Sequence, residues 1–159
     1  MKKIYVLLIT LFFQSMNSQS ETTIYLIRHA EKADITANTA LSAEGNKRAI
    51  YWANHFKETP IDLFYSTPYL RTESTCLPLS NSKQKQIITY TPKEMNLKRL
   101  IAENPGKTIF IVGHSNTIPT HINQLLGEEK YPEIPESEFG NLYIIKEKNG
   151  VISHSVKKI

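Results

Sequence analysis

Three short segments of this chain hold side chains suited to reacting with an anion: Arg28-His29, Ser66 to Arg71, and Gly113-His114-Ser115. Together they supply two histidines and two arginines. A guanidinium presents a planar fork of donors that matches phosphate oxygens in two-point contact, where a lysine acts only as a point charge. A neutral imidazole beside such a pair can attack phosphorus, which divides hydrolysis into transfer to the protein and release to water. Individually these residues have plainer readings: a strand-end histidine satisfied by hydrogen bonds, a solvated helix arginine, a histidine capping a helix. What lifts them above those readings is that each segment follows a predicted strand.

Thr22 to Ile27 is a β-branched and aromatic run without strict alternation, as in a strand buried on both faces, and it ends in Arg28-His29. Ser42 reads as a helix cap before Ala49, Trp52, Ala53 and Phe56 at helical spacing, with Pro60 at the exit. A short strand over Ile61 to Tyr65 leads to Ser66-Thr67-Pro68, where Thr67 can cap a helix and Pro68 suits its first turn, placing Arg71 about one turn in. After Pro78 the sequence reads as a polar loop, Leu79 to Gln86, then a strand from Ile87 to Tyr90. Leu97, Leu100 and Ile101 mark a short helix that Pro105-Gly106 ends. Thr108 to Val112 is the second apolar run; the helix after it carries Ile118, Ile122, Leu125 and Leu126 on one face, tolerates Pro119 only near its first turn and stops at Gly127. Asn149-Gly150 between Leu142 to Lys148 and Val151 to Val156 predicts a two-residue hairpin. Strands alternating with helices predict an α/β fold, a three-layer sandwich with a mainly parallel central sheet, helices on both faces and a C-terminal β-hairpin. In such sheets functional groups gather beyond the carboxyl ends of the strands, where the three segments fall.

The chain has 159 residues, enough for one core and therefore one domain. Lys2 and Lys3, the apolar run Ile4 to Phe13 and the small, polar stretch Ser15 to Ser20 have the three parts of a secretory signal peptide. That run is about half the roughly 20 residues a spanning helix needs. The expected organisation is a signal peptide over 1–20 and a domain over 21–159, exported to the periplasm or medium, with no stable membrane association after cleavage. Without Lys2 and Lys3, 17 basic residues face 15 acidic ones, too small an excess to indicate a nucleic-acid partner. Cys76 stands alone and reads as a small buried apolar residue. The five histidines show no metal-ligand spacing, and His55, His121 and His154 read as surface or packing residues.

Four motifs in order carry a resemblance. Arg28-His29-Ala30-Glu31-Lys32, Leu41-Ser42-Ala43-Glu44-Gly45, Ser66-Thr67-Pro68-Tyr69-Leu70-Arg71-Thr72 and Gly113-His114-Ser115 resemble the elements of the histidine phosphatase superfamily, also called phosphoglycerate mutase-like, with Ala30 where the family signature has Gly. The resemblance covers nearly all of the chain after the leader. It implies a metal-independent phosphatase without a cofactor, acting on a small phosphorylated molecule, with His29 as nucleophile and Arg28, Arg71, His114 and Ser115 around the phosphoryl group. It also implies a carboxyl proton donor, for which Glu94 ranks ahead of Glu31 and Glu138. Mutase members carry an Asn where this chain has Ile35, so hydrolysis rather than mutase chemistry is implied.

Two rival readings stand beside it. A domain of the same fold could bind phosphate without turning it over, because binding needs only the arginines and a helix terminus. Gly113-His114-Ser115-Asn116-Thr117 approximates the Gly-x-Ser-x-Gly elbow of serine esterases, with Ser115 as nucleophile, although Thr117 replaces the last Gly and the reading leaves Arg28, His29 and Arg71 without a role. The stretch Glu128 to Glu138, with five glutamates and two prolines, reads as a solvated loop that could alternatively form one wall of a pocket.

Overall fold

The structure, a computed structural model, describes residues 20–159, so the expected signal segment lies outside the described residues apart from Ser20. The chain runs β1 (Thr22–Arg28), α1 (Ala43–His55), β2 (Leu63–Ser66), α2 (Leu70–Ser82), β3 (Ile87–Thr89), α3 (Leu97–Glu103), β4 (Thr108–Gly113), α4 (Thr117–Leu126), β5 (Asn141–Lys148) and β6 (Val151–Lys158). The six strands form one sheet in the order β3-β2-β4-β1-β5-β6. The first four are parallel and the last two join antiparallel. The expected α/β sandwich and its closing hairpin are both present.

The two apolar runs show why the sheet is covered twice. In β4, Ile109 and Ile111 point into one cluster with Leu97, Leu100 and Ile101 of α3 and Ile118 and Ile122 of α4. Phe110 and Val112 point the other way, into a second cluster with Trp52 of α1, Phe56 at the C-cap of that helix, and Cys76 and Leu79 of α2. Ile24 and Leu26 of β1 alternate with Ile27 in the same manner. A continuous apolar run is therefore a period-two strand with both faces buried. From β1 and β2 the chain moves outward in one direction with its helices on one face; from β3 and β4 it returns with helices on the other, as right-handed crossovers require. The direction reverses between β1 and β4, and that switch point leaves a crevice at their carboxyl ends.

Four local details depart from expectation or explain it. Pro78 does not end a helix: it sits inside α2, which continues to Ser82. The proline forfeits one backbone bond, but Cys76 and Leu79 on either side of it are fully buried, and that packing outweighs the local preference. α2 also begins later than Thr67: its first backbone donor, Leu70 N, is capped by the side chain of Asn38 from the loop after β1 at 2.9 Å, a partner distant in sequence. Ser42 caps α1 as expected by accepting from Gly45 N, and a Cβ at Gly45 would overlap the Glu31 carbonyl, so α1 lies directly on the segment that follows His29. In the hairpin, Asn149 and Gly150 both take positive φ, 56° and 79°, the turn their types favour.

Candidate active site

β1 and β4 are neighbours in register, with Arg28 opposite Gly113, so His29 and His114 leave adjacent strand ends. His29 N donates to Gly113 O at 2.9 Å, which extends the pairing by one residue and locks the two segments together. β2 flanks β4 on its other side and delivers Thr67 to the same end. The three segments singled out by sequence converge on one cavity of about 430 Å³, lined by His29, Arg71, His114 and Ser115. The imidazole centroids of His29 and His114 are 5.5 Å apart, inclined at 66°.

The two imidazoles are in opposite tautomers. His29 Nδ1 donates to its neighbour's carbonyl, Ala30 O, at 2.8 Å, which leaves the lone pair on Nε2. Burial pushes the pKa of His29 down to about 4, with the charges of Arg28, Arg71 and Lys32 adding to the shift and the Ala30 bond opposing it. Ala30 is itself fixed: its N–H donates to Thr75 of α2 at 2.9 Å, and its methyl fills a small cluster with Leu41 and Ala49, which accounts for Ala at this position. In His114, Nδ1 accepts from the Arg71 guanidinium at 3.4 Å, so Nε2–H is the donor to Thr67 Oγ1 at 2.9 Å. Thr67 in turn donates its hydroxyl hydrogen bond to Thr72 Oγ1 at 2.9 Å. Burial first, and then Arg71, hold His114 at about 4 as well. Both rings are neutral through the physiological range.

Arg71 reaches the cavity from the first turn of α2. It donates to Ala37 O at 2.7 Å and lies 4.5 Å over the Tyr69 ring. With the cap from Asn38 to Leu70, this ties the loop after β1 to the start of α2. Arg71 Nε has no hydrogen-bond partner among the described residues. The first residues of α4, together with Ser115 and Asn116, form the floor, where helix N–H groups favour an anion.

Arg28 is placed differently from the expectation that it grips the phosphoryl group. Its guanidinium is not among the cavity-lining groups; it donates to the carbonyls of Pro135, Glu136 and Glu138 at 2.9, 3.1 and 3.0 Å, and pairs with Glu136 Oε2 at 2.7 Å. A buried guanidinium must spend its donors, and the loop before β5 supplies the acceptors. Arg28 is thus a clamp for that loop as well as a fixed charge next to His29.

The expected carboxyl donors are elsewhere. Glu94 accepts from Thr91 Oγ1 at 2.6 Å and lines a neighbouring cleft with Tyr65 and Arg99. Glu31 is held by Arg48 at 2.6 to 3.0 Å, and Glu138 by Asn141 and Lys158 at 3.2 and 3.3 Å. The carboxylates that line the cavity are Glu133 and Glu136, with Lys32 and Tyr69 on other sides. Burial alone would raise the pKa of Glu136, but Arg28, Lys32 and Ser115 outweigh it and hold the group ionised. The stretch from Glu128 to Glu138 is therefore a wall and not a free loop. Asn123 holds it with bonds to Lys130 N, Tyr131 N and Tyr131 O at 3.1, 2.9 and 2.9 Å, Ile134 is buried, and Ile134 N donates to Ser115 O at 3.0 Å. The five-glutamate cluster was the only sequence signal for it.

Ser115 Oγ approaches Glu133 and Glu136 at 3.5 and 3.4 Å and has no histidine partner, which removes the geometry an esterase nucleophile needs. His154 bonds Tyr131 at 2.6 Å and His55 packs beside Phe56 on α1, both remote from the cavity. His121 is buried in α4. Cys76 is buried, and burial raises its thiol pKa to about 12, so it is inert packing. Among the described residues no group of three or more His, Cys, Asp or Glu is placed to hold a metal ion.

Comparison with known proteins gives a consistent placement. No curated protein matches the sequence significantly. Among solved structures, a mutant phosphoserine phosphatase from Entamoeba histolytica in complex with phosphoserine aligns at 20% identity over 84% of this chain and 95% of its own, with a TM-score of 0.66. YhfR from Bacillus stearothermophilus aligns at 14% identity over 86% and 96%, TM-score 0.70. The protein histidine phosphatase SixA complexed with tungstate aligns at 16% identity over 84% and 94%, TM-score 0.65. These likenesses establish the fold. The profile of the histidine phosphatase superfamily (branch 1) matches residues 24–96, which hold most of β1, the segments around His29 and Gly45, and the Ser66 to Thr72 element. With His114 delivered by β4 to the same cavity as His29 and Arg71, the chain is similar to the histidine phosphatase superfamily in sequence profile over residues 24–96 and in fold over most of the described residues.

Proposed function

We propose that this protein is an exported, metal-independent phosphatase that hydrolyses phosphomonoesters through a phosphohistidine on Nε2 of His29. The observation that carries the reading is the Nε2 lone pair, unpartnered among the described residues, of a ring kept neutral by burial and oriented by Ala30, facing a cavity shared with Arg71 and His114. The lone pair forms an N–P bond as the P–O bond to the alcohol breaks. Arg71, His114 and the α4 N-terminus take up the charge that develops on the phosphoryl oxygens, each donor contributing about 2 to 4 kcal/mol to the barrier. Water then attacks the phosphohistidine, phosphate departs and the lone pair returns to Nε2. Glu31, Glu94 and Glu138 do not line the cavity, and Glu136, which does, is held ionised by Arg28; we assign the proton of the departing alcohol to solvent or to a phosphoryl oxygen, so that aryl phosphates turn over faster than alkyl ones. The structural neighbours named for phosphoserine and tungstate support a tetrahedral oxyanion as the ligand. Export rests on the pattern of Lys2-Lys3 and the apolar run that follows, and mass measurement of the protein recovered from outside the cytoplasm, beginning near residue 21, tests it.

Hydrolysis of an aryl phosphate by wild type and His29→Ala, with chelator present, decides the reaction class. The expected result is turnover by wild type with an acid-labile phosphoprotein intermediate, and neither in the variant. Full activity in His29→Ala would refute the mechanism. The placement of the expected acids favours one alternative, a phosphate-binding domain that does not turn over. Vanadate binding by a wild-type protein inactive on every aryl phosphate would establish that reading instead.

A further inference from the structure

We infer that the cavity selects phosphorylated small molecules that carry an ammonium group close to the phosphoryl group, with Glu133 as its principal counter-charge; this rests on the phosphatase reading above. The cavity holds two features of opposite electrostatic sense. At the end of β1 is His29, nine-tenths buried with Nε2 unpartnered among the described residues, and from α2 comes Arg71; both suit an anion. On the opposing loop are Glu133 and Glu136. A site evolved only to hold a dianion gains nothing from carboxylates on its wall, since like charges at this range repel. A ligand that brings its own positive charge turns that cost into attraction. The two carboxylates differ in what they can offer. Glu136 already shares Oε2 with Arg28, whereas Glu133 forms no ion pair among the described residues. Ser115 Oγ, between them at 3.5 and 3.4 Å, supplies a neutral partner to the same cation. Lys32 is the contrary element, since it would attract a carboxylate substituent instead.

Non-hydrolysable phosphonates separate this inference from catalysis. Titration calorimetry on wild type, at low ionic strength, compares 2-aminoethylphosphonate, propylphosphonate and 2-carboxyethylphosphonate, which differ at the distal group alone. The expected order is amino tightest, propyl next and carboxy weakest, with about fivefold between the first two, as for a partly exposed ion pair. That ratio should shrink at high salt and collapse in Glu133→Gln. Equal affinities for the amino and propyl compounds, or tightest binding of the carboxy compound, would overturn it. Should Glu133→Gln bind none of the three, the wild-type order and its salt dependence decide alone. Aryl phosphate turnover by the same wild-type sample reports separately: ranked binding without turnover removes the phosphatase reading, and turnover with unranked binding removes this one.

Discussion

The two sides of the cavity are built in different ways. The β1/β4 side places its groups at strand ends, where the backbone leaves little freedom: His29 N is still bonded to Gly113 O, and each imidazole has one nitrogen committed to a fixed partner. The facing wall, Glu128 to Glu138, has no regular structure and is held from below by Asn123, by the buried Ile134 and by Arg28. The first side is rigid because the sheet is rigid; the second is only as rigid as a few side-chain bonds. Chemistry belongs on the former and selectivity can be carried by the latter, because changing a wall residue does not move the strands.

Substitutions can break that division in order of severity. Loss of His29 should lower kcat/KM on an aryl phosphate more than about 10³-fold, since a nucleophile has no substitute. Arg71→Met and His114→Ala should each cost about 10²-fold, and hydrogen exchange over 130–138 should stay at the wild-type level in Arg71→Met. Arg28→Met should do the reverse in exchange: amides of the wall lose protection, and stability falls by about 2 to 4 kcal/mol as several bonds to a buried charge disappear. If exchange in the wall were unaltered by Arg28→Met, the clamp would be wrong and Arg28 would be a phosphoryl ligand only.

The pH response sharpens the same contrast, because the rigid side is where titration is most perturbed. His29 and His114 are each lowered from 6.5 to about 4, chiefly by burial, and His121 is lowered too. The folded state therefore binds fewer protons than the unfolded one below the ordinary histidine range. Their contribution to stability is complete above about pH 6.5 and is lost progressively as pH falls towards 4. The melting temperature of the ligand-free protein should drop by more than about 5 °C between pH 7.5 and 4.5, and NMR titration should place the His29 imidazole midpoint near 4. From neighbouring charge alone the acid limit falls at about pH 5 to 6; burial of the ring accounts for the further depression. The smallest effect concerns the loop after β1. Asn38→Ala removes the cap on α2 and should cost about 1 kcal/mol, read as a small drop in denaturation midpoint.

Much of this was present in the chain's own pattern. The apolar runs of β1 and β4, the Ser42 cap and the Asn149-Gly150 turn are local features whose physics acts within a few residues, so strand, helix and hairpin could be read directly. His29, Arg71 and His114 were legible because strand ends in a parallel sheet point to one place, and the motif resemblance reinforced that. Glu94 lies away from the cavity because a position near a strand end says nothing about which cleft a flexible carboxylate faces; here the Thr91 hydroxyl holds it in the next one. Pro78 was misjudged as a helix stop because helix propensity is local while the burial of Cys76 and Leu79 is not.

What the sequence determined by itself was the order of elements and the meeting of His29, Arg71 and His114 at the strand ends, since both follow from periodicity, capping and residue chemistry over short separations. The tertiary structure alone decided the tautomer of His114, the diversion of Arg28 into the wall and the choice of Glu133 and Glu136 as the cavity's carboxylates. Those depend on contacts between residues as much as about a hundred positions apart, such as Arg28 with Pro135. No local pattern encodes them, because the energy that selects them is the satisfaction of buried donors, and which acceptor lies within reach is settled only when the sheet has assembled.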